Sequence, residues 1–92
     1  MAHYVLEYRY VDAALRASVR PRHVTYLQSL FEQGRLVMAG PIGAPGAGAM
    51  VVYRADSEAE AQQMVDDDPY TVEGVIADRV LREWTVVIPQ TG

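Results

Sequence analysis

The sequence predicts an α+β fold in which a four-stranded antiparallel sheet carries two helices on one face, in the order β-α-β-β-α-β. Three observations lead there. Residues 4–11 alternate with period 2, two internal stretches carry helical apolar stripes, and residues 76–88 form an extended apolar run near the end. With 92 residues, 50% of them hydrophobic, the chain holds enough material for one core, so residues 1–92 are expected to form a single domain.

In the first strand, residues 4–11, Tyr4, Leu6, Tyr8 and Tyr10 alternate with Val5, Glu7, Arg9 and Val11. One face is Tyr and Leu while the other mixes charge with Val, so the two faces meet different surroundings. Asp12 suits the cap of a helix starting at Ala13, and Pro21 suits the first turn of a helix running to Gln33. The result is one kinked helix or two abutting pieces. Gly34 supplies the stop, because a residue without Cβ enters the left-handed conformation that closes helices. His23, Leu27, Leu30 and Phe31 recur at i, i+4, i+7 and i+8, so His23 shares the apolar face.

Residues 36–39 read as a short strand, and residues 40–48 as a loop, being rich in glycine and proline. The third strand covers residues 50–55. Ser57 and Glu60 form a capping-box pattern, followed by Ala61, Met64 and Val65 on the inward side of a second helix. Asp68 continues that stripe and Pro69 ends it. The final strand, residues 76–88, places Val80, Arg82, Trp84, Val86 and Ile88 on one face. Two helices cover one face only. In a domain this small, the uncovered apolar face predicts a homodimer.

A formal net charge of −4 gives no long-range attraction for a phosphate backbone, so nucleic acid is not an expected partner. The absence of cysteine excludes disulfides and thiolate metal sites. Met1-Ala2-His3-Tyr4 shows no secretory pattern and no run of about 18 apolar residues occurs, which predicts a cytoplasmic protein without a membrane partner. His3 and His23 are the only histidines and lack metal-ligand spacing. No phosphate-binding glycine pattern runs from strand into helix, and no cofactor is expected.

Arg16, the run Val19-Arg20-Pro21-Arg22-His23, Gly34-Arg35-Leu36 leading to Ala39-Gly40-Pro41, and Asp67-Asp68-Pro69-Tyr70 with Gly74 together resemble the YciI-like (YCII-related) family. The resemblance covers nearly the whole chain, although the family's glycine-proline loop is usually longer. It implies a ferredoxin-like fold whose two subunits pack sheet against sheet as a dimeric α+β barrel. It also implies a histidine and an aspartate as an active-site dyad, here His23 and Asp68 by motif position. Enzymes of the family and its fold group include lyases and isomerases of small ring compounds.

Each candidate has two readings. His23 is a general acid or base, since imidazole exchanges a proton near neutral pH, or a core-edge histidine satisfied by a backbone carbonyl. Asp68 accepts the other imidazole N–H, fixing the tautomer as a triad carboxylate does, or simply turns the chain before Pro69. Arg16 and Arg20 bind a substrate carboxylate or phenolate through forked donors, or pair with surface acids. Tyr70 lines a substrate pocket or packs after the turn. Tyr4, Tyr8 and Tyr10 read as core or interface, and Ser57 as a helix cap.

Helices following parallel strands run roughly parallel, which separates the start of the first from the end of the second. Contact between His23 and Asp68 therefore requires a long first helix beginning near Asp12, or a partner subunit. The functions in view are a cofactor-free lyase or isomerase acting on a small cyclic or carboxylated metabolite, a non-catalytic ligand-binding or accessory dimeric module, and a purely structural dimerisation domain.

Overall fold

The computed structural model describes residues 1–89. Its elements are β1 (Ala2–Tyr10), α1 (Ala13–Glu32), β2 (Leu36–Ile42), β3 (Gly48–Ala55), α2 (Glu58–Asp67), α3 (Pro69–Val72) and β4 (Ile76–Trp84). The strands form one antiparallel sheet in the order β2-β3-β1-β4, so the fold is the expected ferredoxin-like α+β arrangement. No helix among the described residues is long and apolar enough to cross a membrane.

The period-2 pattern of β1 sorts its side chains as expected. Tyr4, Leu6 and Tyr8 enter the core beneath the helices with Val51 and Tyr53 of β3. The register places Val5 beside Val52 and Arg82, and Glu7 beside Met50 and Val80, on the face without helices. The sheet therefore has one packed side and one open side.

The first helix is single. Asp12 caps it by accepting from the Leu15 N–H at 3.2 Å, and the helix passes through Pro21 without ending. Pro21 removes one backbone hydrogen bond, but Val19 before it and Leu27 and Leu30 after it join the core, and His23 is buried between them, which holds both halves on one axis. At the far end Gly34 takes φ +75°. The Gly34 N–H donates to Phe31 O at 3.0 Å and the Arg35 N–H to Leu30 O at 2.9 Å, a Schellman closure. Phe31 departs from the expected stripe: it is 54% exposed, while Val19 extends the stripe in its place.

Three further expectations are corrected. Residues 40–42 belong to β2 and Gly48 to β3, so the loop shrinks to residues 43–47; Pro41 is tolerated because β2 is an edge strand and need not donate on its outer side. Beyond Pro69 the chain makes another helical turn, α3, with the proline in the first turn where its missing N–H costs nothing. β4 ends at Trp84, which pairs with His3 near the start of β1, and Val86 and Ile88 lie outside the sheet.

The capping pattern at α2 is half realised. Ser57 Oγ accepts from the Glu60 N–H at 3.2 Å, but the Glu60 carboxylate accepts from Arg35 at 2.9 Å instead of reaching back. This ion pair ties the α1–β2 connection to the first turn of α2. Ala61, Met64 and Val65 bury as expected, which sets the phase that carries Asp68 inward.

Candidate active site

Because α1 starts at Ala13, His23 falls in the middle of the helix and comes opposite the end of α2. Asp68 lies at the α2–α3 junction and is 2% exposed, and His23 is 7% exposed. The His23 Nδ1–H donates to Asp68 Oδ1 at 2.8 Å and Oδ2 at 3.0 Å, within one chain. A carboxylate only accepts, so the shared proton belongs to Nδ1 and the neutral ring carries its lone pair on Nε2. Nε2 makes no hydrogen bond among the described residues and is not sealed from solvent. His23 Nδ1 is thus satisfied by a carboxylate, and among the described residues no backbone carbonyl serves the ring.

Asp68 also makes its turn. Oδ1 accepts from the Tyr70 backbone N–H at 2.9 Å, capping α3. The two readings of Asp68 are therefore both true of the geometry. The neighbouring acids are turned outward: Asp66 and Asp67 accept from Gln62 and Gln63 on the exposed side of α2, each at 2.9 Å.

His23 borders a cleft of about 440 Å³ between α1 and the edge strand β2, a volume suited to a small ligand. Arg16, Arg20, Val24, Gln28 and Phe31 reach it from the same side of α1, β2 forms the opposite wall, and Tyr8, Tyr10 and Tyr70 line one end. Among the described residues neither arginine forms an ion pair with an acid. The Arg16 guanidinium lies 4.0 Å over the Tyr10 ring, with its Nε buried and unpartnered. Two cationic donors are therefore left unneutralised at the cleft, which favours an anionic ligand.

Tyr8, Tyr10 and Tyr70 meet edge to face, with centroids 5.6 to 6.5 Å apart. Tyr70 also stacks on His23, the ring centroids 3.6 Å apart and the planes within 3°. Burial pushes the Tyr70 phenol up from its ordinary value, with Arg16 acting in the opposite direction. Burial likewise pushes Tyr8 up, reinforced by Tyr10 and Asp68. Both phenols stay protonated at neutral pH and remain hydrogen-bond donors.

All five sequence candidates converge: His23, Arg16, Arg20 and Tyr70 line the cleft, and Asp68 stands directly behind His23. Alternation reads Tyr8 and Tyr10 as core or interface; Tyr8 is part of the core, Tyr10 packs against it, and both also reach the cleft. Two signals in the sequence point to the wall: positions 16, 20, 23, 24, 27, 28 and 31 share one helical side, and Tyr8 and Tyr10 share one strand face. No group of three or more His, Cys, Asp or Glu side chains placed to hold a metal occurs among the described residues.

The family model of the YCII-related domain matches residues 1–85. Protein YciI of Escherichia coli O6:H1 is 44% identical over 69 residues, covering 65% of this chain and 70% of that protein. The Emericella nidulans protein named derivative of benzaldehyde biosynthesis cluster protein C is 34% identical over 79 residues, covering 75% and 81%. Among solved structures, the 5-chloro-2-hydroxyhydroquinone dehydrochlorinase of Burkholderia phenoliruptrix, in complex with 2,5-dihydroxybenzoquinone, superposes with a TM-score of 0.77 at 22% identity, covering 90% of this chain and 93% of that one. A shared fold, a family model spanning all four strands and close sequence relatives agree, and the chain belongs to the YCII-related domain family.

Proposed function

We propose that this protein is a small-molecule enzyme that performs lyase- or isomerase-type acid/base chemistry, without a cofactor, on a small cyclic or carboxylated metabolite. The observation that carries the reading is the buried His23–Asp68 contact at the wall of a cleft bearing two unpaired arginines. His23 Nε2 takes a proton from a carbon made acidic by an adjacent carbonyl. The same nitrogen returns it to another atom, or the electron pair expels a leaving group. Asp68 holds the tautomer that leaves Nε2 basic, and Arg16 and Arg20 bind the carboxylate or phenolate and the charge that develops on proton removal. The names of two relatives support ring compounds as substrates, one being a dehydrochlorinase of a hydroxyhydroquinone and the other belonging to a benzaldehyde cluster. We infer a cytoplasmic homodimer, joined through the open sheet face, as the working unit.

The test is a panel of hydroxylated ring acids. A ligand that binds only the folded state adds about 2.7 kcal/mol at 100 times Kd, so thermal stabilisation identifies binders, and Arg16→Ala and Arg20→Ala are expected to reduce it. Each binder is then incubated in deuterated water and followed by proton NMR. Loss of substrate C–H signal in the native protein, abolished in His23→Gln, supports proton transfer. Binding with no exchange and no turnover across the panel points instead to a ligand-binding or accessory module.

A further inference from the structure

We propose that Tyr70 is a positioning residue that fixes the plane of the His23 imidazole, so that Nε2 is aimed into the cleft. The inference deepens the acid/base reading and rests on it for its purpose, while its geometry is independent. A hydrogen bond at Nδ1 fixes one edge of the ring and leaves the ring free to rock about that contact. The Tyr70 face, parallel to within 3° at a centroid distance of 3.6 Å, blocks that motion from one side. Both restraints come from one turn: the carboxylate of Asp68 holds the edge, Tyr70 two residues later covers the face, and the Tyr70 N–H bonded to Asp68 Oδ1 at 2.9 Å locks the two together. Pro69 between them has a fixed φ, so little backbone freedom remains in the link.

Tyr70 is itself held. Tyr8, on the central strand, and Tyr10 meet it edge to face at 6.5 Å and 6.1 Å, with interplanar angles of 89° and 88°. These contacts prevent the phenol ring from tilting, and they connect the sheet to the imidazole through aromatic surfaces. A contact of this kind needs a flat ring and no hydroxyl. It therefore makes a different demand at position 70 than substrate binding through the phenol does.

NMR of isotopically labelled histidine in the full chain tests this, with His3→Gln removing the second histidine signal. Protons close above an aromatic face are shifted upfield, so the His23 ring protons are expected upfield of free histidine and the ring rigid by carbon relaxation. Tyr70→Phe preserves both properties. Tyr70→Leu loses both while the Nδ1 proton bound to Asp68 and the circular dichroism persist. His23 ring protons at free-histidine positions in the native protein would overturn the assignment, as would loss of the shift in Tyr70→Phe or its survival in Tyr70→Leu. If Tyr70→Leu does not fold, the native protein and Tyr70→Phe still decide. The readout needs neither ligand nor turnover, so its failure leaves the acid/base reading standing, and failure of that reading leaves it intact.

Discussion

His23 on α1 and Asp68 at the end of α2, 45 residues apart in sequence, share a proton at 2.8 Å with both side chains almost fully buried. Removing the carboxylate strands two donors, His23 Nδ1–H and the Tyr70 N–H, in a place water reaches poorly. Asp68→Ala is expected to cost about 3 kcal/mol of stability. Asp68→Asn, which still presents an acceptor oxygen, is expected to cost clearly less while abolishing the deuterium exchange described above. Urea denaturation gives both values, and equal losses would show that the neutral acceptor of Asn does not replace the carboxylate toward either donor.

Gly48 opens β3 beside Tyr8, and a Cβ there runs into the Tyr8 carbonyl oxygen, a backbone atom that cannot swing aside. Gly48→Ala must push β1 and β3 apart at the end of the sheet next to the cleft. The expected loss is about 1 to 3 kcal/mol by thermal denaturation. A neutral result would mean that this close approach is relaxed in solution.

The open face of the sheet presents Val80 and Trp84, 48% and 46% exposed, around the nearly covered Val5 and Val52. Light scattering at low micromolar concentration is expected to give the mass of a homodimer, with Trp84→Glu shifting it to monomer. Stable interfaces bury about 1,200 to 2,000 Å² in total, which a sheet face of this kind can supply. A monomeric native protein would exclude the sheet-to-sheet arrangement.

Alkali should unfold the protein. Tyr26, whose hydroxyl donates to Met64 O at 2.6 Å, is pushed up to about 12 by burial first and by Asp67 and Asp68 second. Tyr8 and Tyr53 are pushed up as well, chiefly by burial. Below pH of about 10, folded and unfolded phenols all keep their protons and no difference arises. Above it the unfolded chain releases protons that the folded chain retains, so stability falls as pH rises. Denaturation midpoints measured across this range are expected to drop steadily while tyrosinate absorbance lags behind that of free tyrosine. Flat midpoints would show that the buried phenols titrate normally.

Much of this architecture is legible in the residues themselves. Alternation in β1, the cap at Asp12, the stop at Gly34 and the stripe ending at Asp68 are local signals, and each appears where local chemistry puts it. What the sequence conceals depends on neighbours. Pro41 looks like a loop residue until the edge position of β2 makes its missing N–H harmless. Ile88 looks like strand, but the ladder of β4 on β1 stops at the Trp84–His3 pair. Phe31 obeys the helical period, yet it falls at the mouth of the cleft and stays exposed. The candidate site follows the same division: the inward phase of His23 and Asp68 is readable on each helix alone, but the stack of Tyr70 on His23 exists only after α3 folds back.

The sheet order β2-β3-β1-β4 also sets a timetable. β1 is the first strand to leave the ribosome, yet both of its neighbours lie far downstream, at Gly48–Ala55 and Ile76–Trp84. Its two hydrogen-bonding edges have no partner strand until β3 and then β4 are made, and pairing requires closing two long loops, a slow step in folding. Both edges of β1 thus stay open while residues 11–47 are made, and one stays open until β4 follows, which leaves a window for chaperone binding or misassociation.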